Sequence, residues 1–131
     1  MKVIHVSGTR KTAKARATLK AGNGIIRINS QLLNHIEPKM LRMKIQEPLL
    51  IAGENAKKVD ISVKTHGGGK TSQAEAARLA IARALVFYDK KLQKEFLNYD
   101  RHLLVADVRR KETHRPNTHG KARSRRQRSR R

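Results

Sequence analysis

Gly67-Gly68-Gly69-Lys70-Thr71 is the segment of this chain closest in type to phosphate chemistry. In a nucleotide-binding P-loop, glycine amides wrap the phosphates, Lys neutralises them, and Ser or Thr holds magnesium. Leu103-Leu104-Val105-Ala106-Asp107 even imitates the apolar run and Asp that position the metal. The wrap, however, needs a first Gly at position 64, and the chain has Lys64 there. The loop is too short to cradle a nucleotide, and the body is small for nucleotide hydrolysis. Lys64 belongs to the preceding strand, and Gly67, Gly68, Gly69 and Lys70 read instead as a Gly-rich turn into a helix; all five are candidates for close approach of a polyanion's backbone. Six histidines, His5, His35, His66, His102, His114 and His119, raise the question of a metal. None stands four residues from another, as two ligands on one helical face would. Cysteine is absent, so a thiol nucleophile, a disulfide framework and a Cys-based zinc site are excluded. The residues predict no cofactor, no metal and no enzyme.

Gly8-Thr9-Arg10-Lys11-Thr12-Ala13-Lys14-Ala15-Arg16 has a different chemistry. On an extended chain Lys14 and Arg16 share a face, with Arg10 and Lys11 at the connection before them. Such a run is usually a solvated edge strand. Here the first 36 residues hold seven basic groups and no acid, so phosphate binding is the better reading. Arg78 and Arg83 are further candidates, although Arg78 stands at helical pairing distance from Glu75.

The whole chain shares this bias. Lys and Arg number 31 against 10 Asp and Glu among 131 residues, a net charge of +21. That excess calls for a polyanionic partner, with nucleic acid ahead of an anionic membrane. All ten carboxylates lie between Glu37 and Glu112. From Arg109 to Arg131 there are 11 basic residues and one acid, with no Val, Leu, Ile, Phe, Tyr, Trp or Met. Such a stretch cannot bury a core and is expected to be ordered only by a partner. The predicted division is a globular body, 1–107, and a basic tail, 108–131. The tail's candidate contacts are Arg109, Arg110, Lys111, Arg115, Lys121, Arg123, Arg125, Arg126, Arg128, Arg130 and Arg131. No apolar run is long enough to span a membrane, and residues 1–18 lack a signal peptide's apolar region, so a cytoplasmic protein is expected. Aromatic residues make up 3% and Trp is absent, which argues against recognition by base stacking.

These groups need elements to hold them. Val3, Ile4 and Val6 predict a first strand, and Ala13–Ala21 a second. Gly22-Asn23-Gly24 predicts a hairpin turn back into a strand over 25–28. Ser30 is placed to cap a short helix, Gln31 to His35. Pro38 ends it and starts another, in which Leu41, Ile45 and Leu49 share a face. Pro48 should kink or end that helix. Lys58 to Thr65 alternates as a half-exposed strand. Ser72 and Glu75 have the spacing of a capping box. Ala74, Ala77, Ile81, Ala84, Leu85 and Tyr88 then form the apolar stripe of the longest helix. Lys91 to Asn98 predicts one more helix, and Leu103 to Ala106 closes the body. The fold class is α+β, one sheet with helices on one face.

Three stretches together resemble the universal small-subunit ribosomal protein nine family. They are Gly8 to Ala17, then Gly67-Gly68-Gly69 with Gln73-Ala74, Arg78 and Ile81 to Leu85, and finally Asp107-Val108-Arg109 opening a basic tail. Ile36-Glu37-Pro38, Gln46 to Leu50, Gly120, Ala122-Arg123, Gln127 and Ser129 resemble its archaeal and eukaryotic branch. The resemblance implies a mixed four-stranded sheet like the second domain of ribosomal protein S-five. It implies binding to 16S-type rRNA in the head of the small subunit, beside neighbouring head proteins. It also implies that the tail threads toward the P site, where Arg128, Arg130 and Arg131 meet tRNA. Composition by itself leaves a rival, a histone-like DNA-binding or architectural protein.

Overall fold

The computed structural model describes residues 2–123. Its sheet has five strands: β1 (Ile4–Arg10), β2 (Ala13–Ala21), β3 (Ile26–Ile28), β4 (Gln31–Leu32) and β5 (Val59–His66). Four helices complete it: α1 (Lys39–Ala52), α2 (Glu54–Lys57), α3 (Lys70–Tyr88) and α4 (Leu92–Tyr99). Single 3₁₀ turns stand at Leu33–His35 and Arg101–Leu103.

Strand order is β1-β2-β5-β3-β4, antiparallel throughout except for the parallel β3–β5 pair. The period-2 pattern of β2 decides its orientation. Ala13, Ala15, Ala17 and Leu19 are buried, while Lys14, Arg16 and Lys20 face the other way. Val59, Ile61 and Val63 of β5, with Ile26 and Ile28 of β3, continue the same apolar side. α3 packs across that side on β1, β2 and β5, and α1 packs on α3. Helices therefore cover one face of the sheet. α3 is buried almost all round, which its alanines permit by letting neighbours approach. Gly8 of β1 shows how close that approach is: a Cβ there would lie 2.5 Å from the Ala76 carbonyl oxygen.

Several local expectations are corrected. Gly22-Asn23-Gly24 does not close a hairpin, because β5 lies between β2 and β3. The Asp60 carboxylate of β5 instead accepts the amides of Asn23 (2.8 Å) and Ile25 (2.9 Å). The sheet has a fifth strand because Asn29 and Ser30, both at positive φ, form a tight two-residue turn between β3 and β4. Positive φ at both central positions suits the twist of a hairpin, so Gln31 begins a strand and not a helix. α1 runs through Pro48, whose missing N–H leaves the Lys44 carbonyl without its helical partner. Pro48 is buried, and its packing offsets that loss. α3 begins at Lys70, capped by Gly69, so Ser72 and Glu75 form no capping box.

The Gly-rich loop between β5 and α3 lies against the β1–β2 turn. Gly67 has φ +75, and a Cβ on it would stand 2.6 Å from the Thr12 carbonyl oxygen. The close approach this glycine allows is thus to the chain's own backbone. Gly67→Ala should cost about 1–3 kcal/mol through left-handed strain and the clash. A urea unfolding midpoint that falls with unchanged m would show this, and an unchanged midpoint would contradict it.

Candidate nucleic-acid interface

The sheet face opposite the helices is built from the alternate residues of four strands. Its register sets the charges in rows. Ser7, Arg16 and Lys64 lie side by side across β1, β2 and β5. Thr9, Lys14 and His66 make the next row. His5, Thr18, Ser62 and Arg27 make a third, reaching β3. Lys20 stands opposite Asp60.

Directly paired side chains on such a face start about 4.5–5.5 Å apart at Cβ. Residues two apart on one strand are about 6.5–7 Å apart. Arg16 and Lys64 therefore oppose each other as like charges, an unfavourable pair in the isolated chain. Lys14 follows on the same face. Asp60 is the only carboxylate on the face among the described residues. It is already engaged by the Asn23 and Ile25 amides. Hydrogen bonds from Ile25 and then Asn23 hold its carboxyl below the usual carboxylate range. Lys14, Arg16, Lys20 and Lys64 are exposed, as is Arg27. The face therefore carries closely spaced positive charges that repel one another, and an anion bound across them would relieve that repulsion.

The structure thus brings Lys14, Arg16 and Lys64 together and adds Arg27 and Lys20. Those two were legible as basic residues of an acid-free segment, but only the strand order reveals which side they share. Lys11 is exposed in the β1–β2 turn, at φ 53. That turn, Gly67-Gly68-Gly69 and Lys70 all sit at the Lys14–His66 end of the sheet. Arg10 pairs with Ala13, so it falls on the helix side of β1.

Arg10, Arg78 and Arg83 have partners within the fold. Arg10 Nε donates to Glu75 at 2.7 Å, and Lys44 holds the other Glu75 oxygen at 3.2 Å. Arg78 bonds Glu47 of α1 and Asp100 before the last 3₁₀ turn, and not Glu75. Arg83 donates to the carbonyls of Leu104 (3.1 Å) and Ser7 (2.9 Å). Alternating charges from α1, α3 and the closing segment line a cavity of about 290 Å³ beside Arg10 and Arg78.

Burial pushes the Glu75 carboxyl up, but hydrogen bonds from Lys44 and Arg10 outweigh it and leave it below its usual range. Asp100 shows the same balance: burial raises it, and the His102 amide and Arg78 more than offset that. A carboxylate lowered by folding binds fewer protons folded than unfolded, so stability rises with pH where the two states differ. The contribution is complete above the ordinary values of 4.5 for Glu75 and 3.8 for Asp100 and fades as pH falls through the lowered ones. Melting temperature should therefore hold down to about pH 5 and fall steeply below about pH 4. A flat profile to pH 2.5 would remove these ion pairs from the account.

From 104 to 123 the chain forms no strand or helix. Arg109 pairs with Asp107, and Arg123 pairs with Glu112 (Nε, 2.9 Å). Arg110, Lys111, Arg115 and Lys121 are exposed. Arg125, Arg126, Arg128, Arg130 and Arg131 lie outside the described residues. Among the described residues no cluster of three or more His, Asp and Glu could hold a metal, and no helix is long and apolar enough to cross a membrane.

A family model described as ribosomal protein S9/S16 matches residues 8–131. The chain is 47% identical over 132 residues to small ribosomal subunit protein uS9 of Methanococcus maripaludis strain C7. It is 48% identical to the protein of the same name in Methanococcus vannielii. Each alignment covers 98% of this chain and 98% of the relative.

Proposed function

Since the chain belongs to the ribosomal protein S9/S16 family, in its archaeal-like branch, we propose that its sheet face and its tail divide the work of one rRNA-binding protein. The chain is a structural, non-enzymatic constituent of the small ribosomal subunit, binding rRNA and neighbouring ribosomal proteins in translation. The finer reading concerns which residues do this. Lys14, Arg16, Lys20, Arg27 and Lys64 bind rRNA phosphates on the open sheet face. Lys11, Gly68, Gly69 and Lys70 extend that contact at the end of the sheet. The body spans about 1–107. The tail, 108–131, crosses rRNA through Arg109, Arg110, Lys111, Arg115, Lys121, Arg123, Arg125 and Arg126. Its tip, Arg128, Arg130 and Arg131, reaches P-site tRNA.

The observation that carries the body's part is the opposed pair Arg16–Lys64 on an otherwise acid-poor face. Like charges facing each other on a sheet are unfavourable unless a counter-charge joins them. The tail's part rests on its net charge and its reach. Twenty-three residues, 109–131, extend at most about 76–83 Å. Arg at the tip can hold phosphate bidentately and so favour one tRNA pose.

Subunits reconstituted with a chain lacking Ser129 to Arg131 test this assignment. Incorporation should stay near normal, while P-site tRNA dissociates several-fold faster. Unchanged tRNA retention beside an assembly defect would make the tip an rRNA contact.

A further inference from the structure

Among the described residues, Asp107 is the last whose side chain forms an ion pair with an element of the body. Its carboxylate lies 3.5 Å from Arg10 Nη2. It also accepts the backbone N–H of Arg109 at 2.9 Å and the Arg109 guanidinium at 2.7 Å. One carboxylate thus ties β1 to the chain's next turn. Arg10 is fixed from the other side by Glu75 of α3, which Lys44 of α1 holds in turn. The side chains of Arg10 and Asp107 are each only 15% exposed, whereas Arg109 is 78% exposed. Three residues upstream, Arg83 joins the Leu104 carbonyl to Ser7 of β1. Two arginines therefore sew residues 104–107 to β1.

We propose that Arg10, Glu75 and Asp107 are positioning residues that set the direction in which the tail leaves the body. Arg10 then acts on tRNA and rRNA through Asp107, and it is not itself a phosphate ligand. Its guanidinium is flanked by two carboxylates, and its side chain is only 15% exposed. An incoming phosphate would have to displace both acids. Fixing the residues where a segment leaves a body reduces the volume the segment searches and raises the effective concentration of its end at a fixed target. The consequence for tRNA rests on the tail reading above.

The absence of cysteine makes a clean measurement possible. Lys94→Cys on α4 and Arg110→Cys just past Arg109 would carry spin labels on the full chain. Pulsed electron–electron distances should give a narrow distribution. Asp107→Asn should broaden it at least about twofold, because the tether is lost while the body's core is untouched. Arg10→Gln should do the same, but it also strips Glu75 of a partner and risks unfolding, so Asp107→Asn decides. Lys44→Gln removes the other Glu75 contact but leaves Arg10 paired with Asp107, so it should broaden the distribution less than Asp107→Asn does; equal broadening would show a general loosening of the body and overturn the tether. An unchanged width in Asp107→Asn would overturn the proposal. In reconstituted subunits, Asp107→Asn should also release P-site tRNA several-fold faster. A broadened distribution with unchanged tRNA retention would uphold the positioning role and refute the tail's contact with tRNA.

Discussion

Replacing Arg16 and Lys64 together by Gln is expected to weaken binding of the full chain to small-subunit rRNA by about 30- to 150-fold at moderate salt. That follows from about 1–1.5 kcal/mol for each lost charged contact to phosphate. The slope of log affinity against log salt should fall by about 1.4–1.8 units, because two fewer counterions are released. The isolated protein should behave in the opposite sense. Arg16 and Lys64 are directly paired across β2 and β5, so removing their repulsion should raise stability by about 0.2–1 kcal/mol. Weaker binding with an equal or higher melting temperature separates a binding role from a folding one. Unchanged affinity would mean that the RNA lies on another surface.

The members of that face were unequally legible. Lys14 and Arg16 are legible, because period-2 alternation with Ala13, Ala15 and Ala17, weak though alanine makes it, puts both on one face. Lys64 alternates as plainly within β5. What alternation cannot show is which strands are neighbours. The Gly22-Asn23-Gly24 signal is a sound local argument for a hairpin, and a distant carboxylate defeats it. Asp60 takes the turn's amides, and β5 takes the place β3 would have had. Arg27 joins the face only through that parallel pairing. The missed strand β4 has a similar cause. It is two residues long, and its turn uses Asn29-Ser30 where a glycine would have announced it.

The arginines show the opposite limit. Composition identifies Arg10 as one cation in an acid-free segment, yet its counter-charges come from residues 65 and 97 positions later, Glu75 and Asp107. No local pattern links them. Glu75 in particular looked like half of a capping box. It is released from that role because α3 starts earlier, at Lys70, and so it can face Arg10 and Lys44. The longest helix was readable because its apolar stripe reflects burial directly at Ala74, Ala77, Ile81, Ala84 and Leu85, whereas Tyr88, expected at the end of that stripe, is exposed.

Deleting 110–131 should produce the largest change in RNA affinity with almost none in stability. The cut keeps Arg109, so the Asp107 turn remains intact. It removes ten basic residues and one acid, Glu112. No described residue beyond Arg109 bonds an element of the body. The pairs that do exist there, such as Arg123 with Glu112, lie within the tail and are exposed, so they contribute little. Unfolding free energy should therefore change by no more than about 0.5 kcal/mol. If most of the ten cations neutralise phosphates, the salt slope of rRNA binding should drop by several units, at about 0.7–0.9 per phosphate. Affinity at low salt should then fall by orders of magnitude more than at high salt. The truncated chain should still enter subunits through its sheet face, and those subunits should lose P-site tRNA faster than ones lacking the tip alone. Chemical denaturation, salt titration and tRNA release measured on the same pair of proteins would check each part. A large loss of stability would show that the tail packs on the body and that the boundary near 107 is misplaced. An unchanged salt slope would show that its cations meet no phosphate.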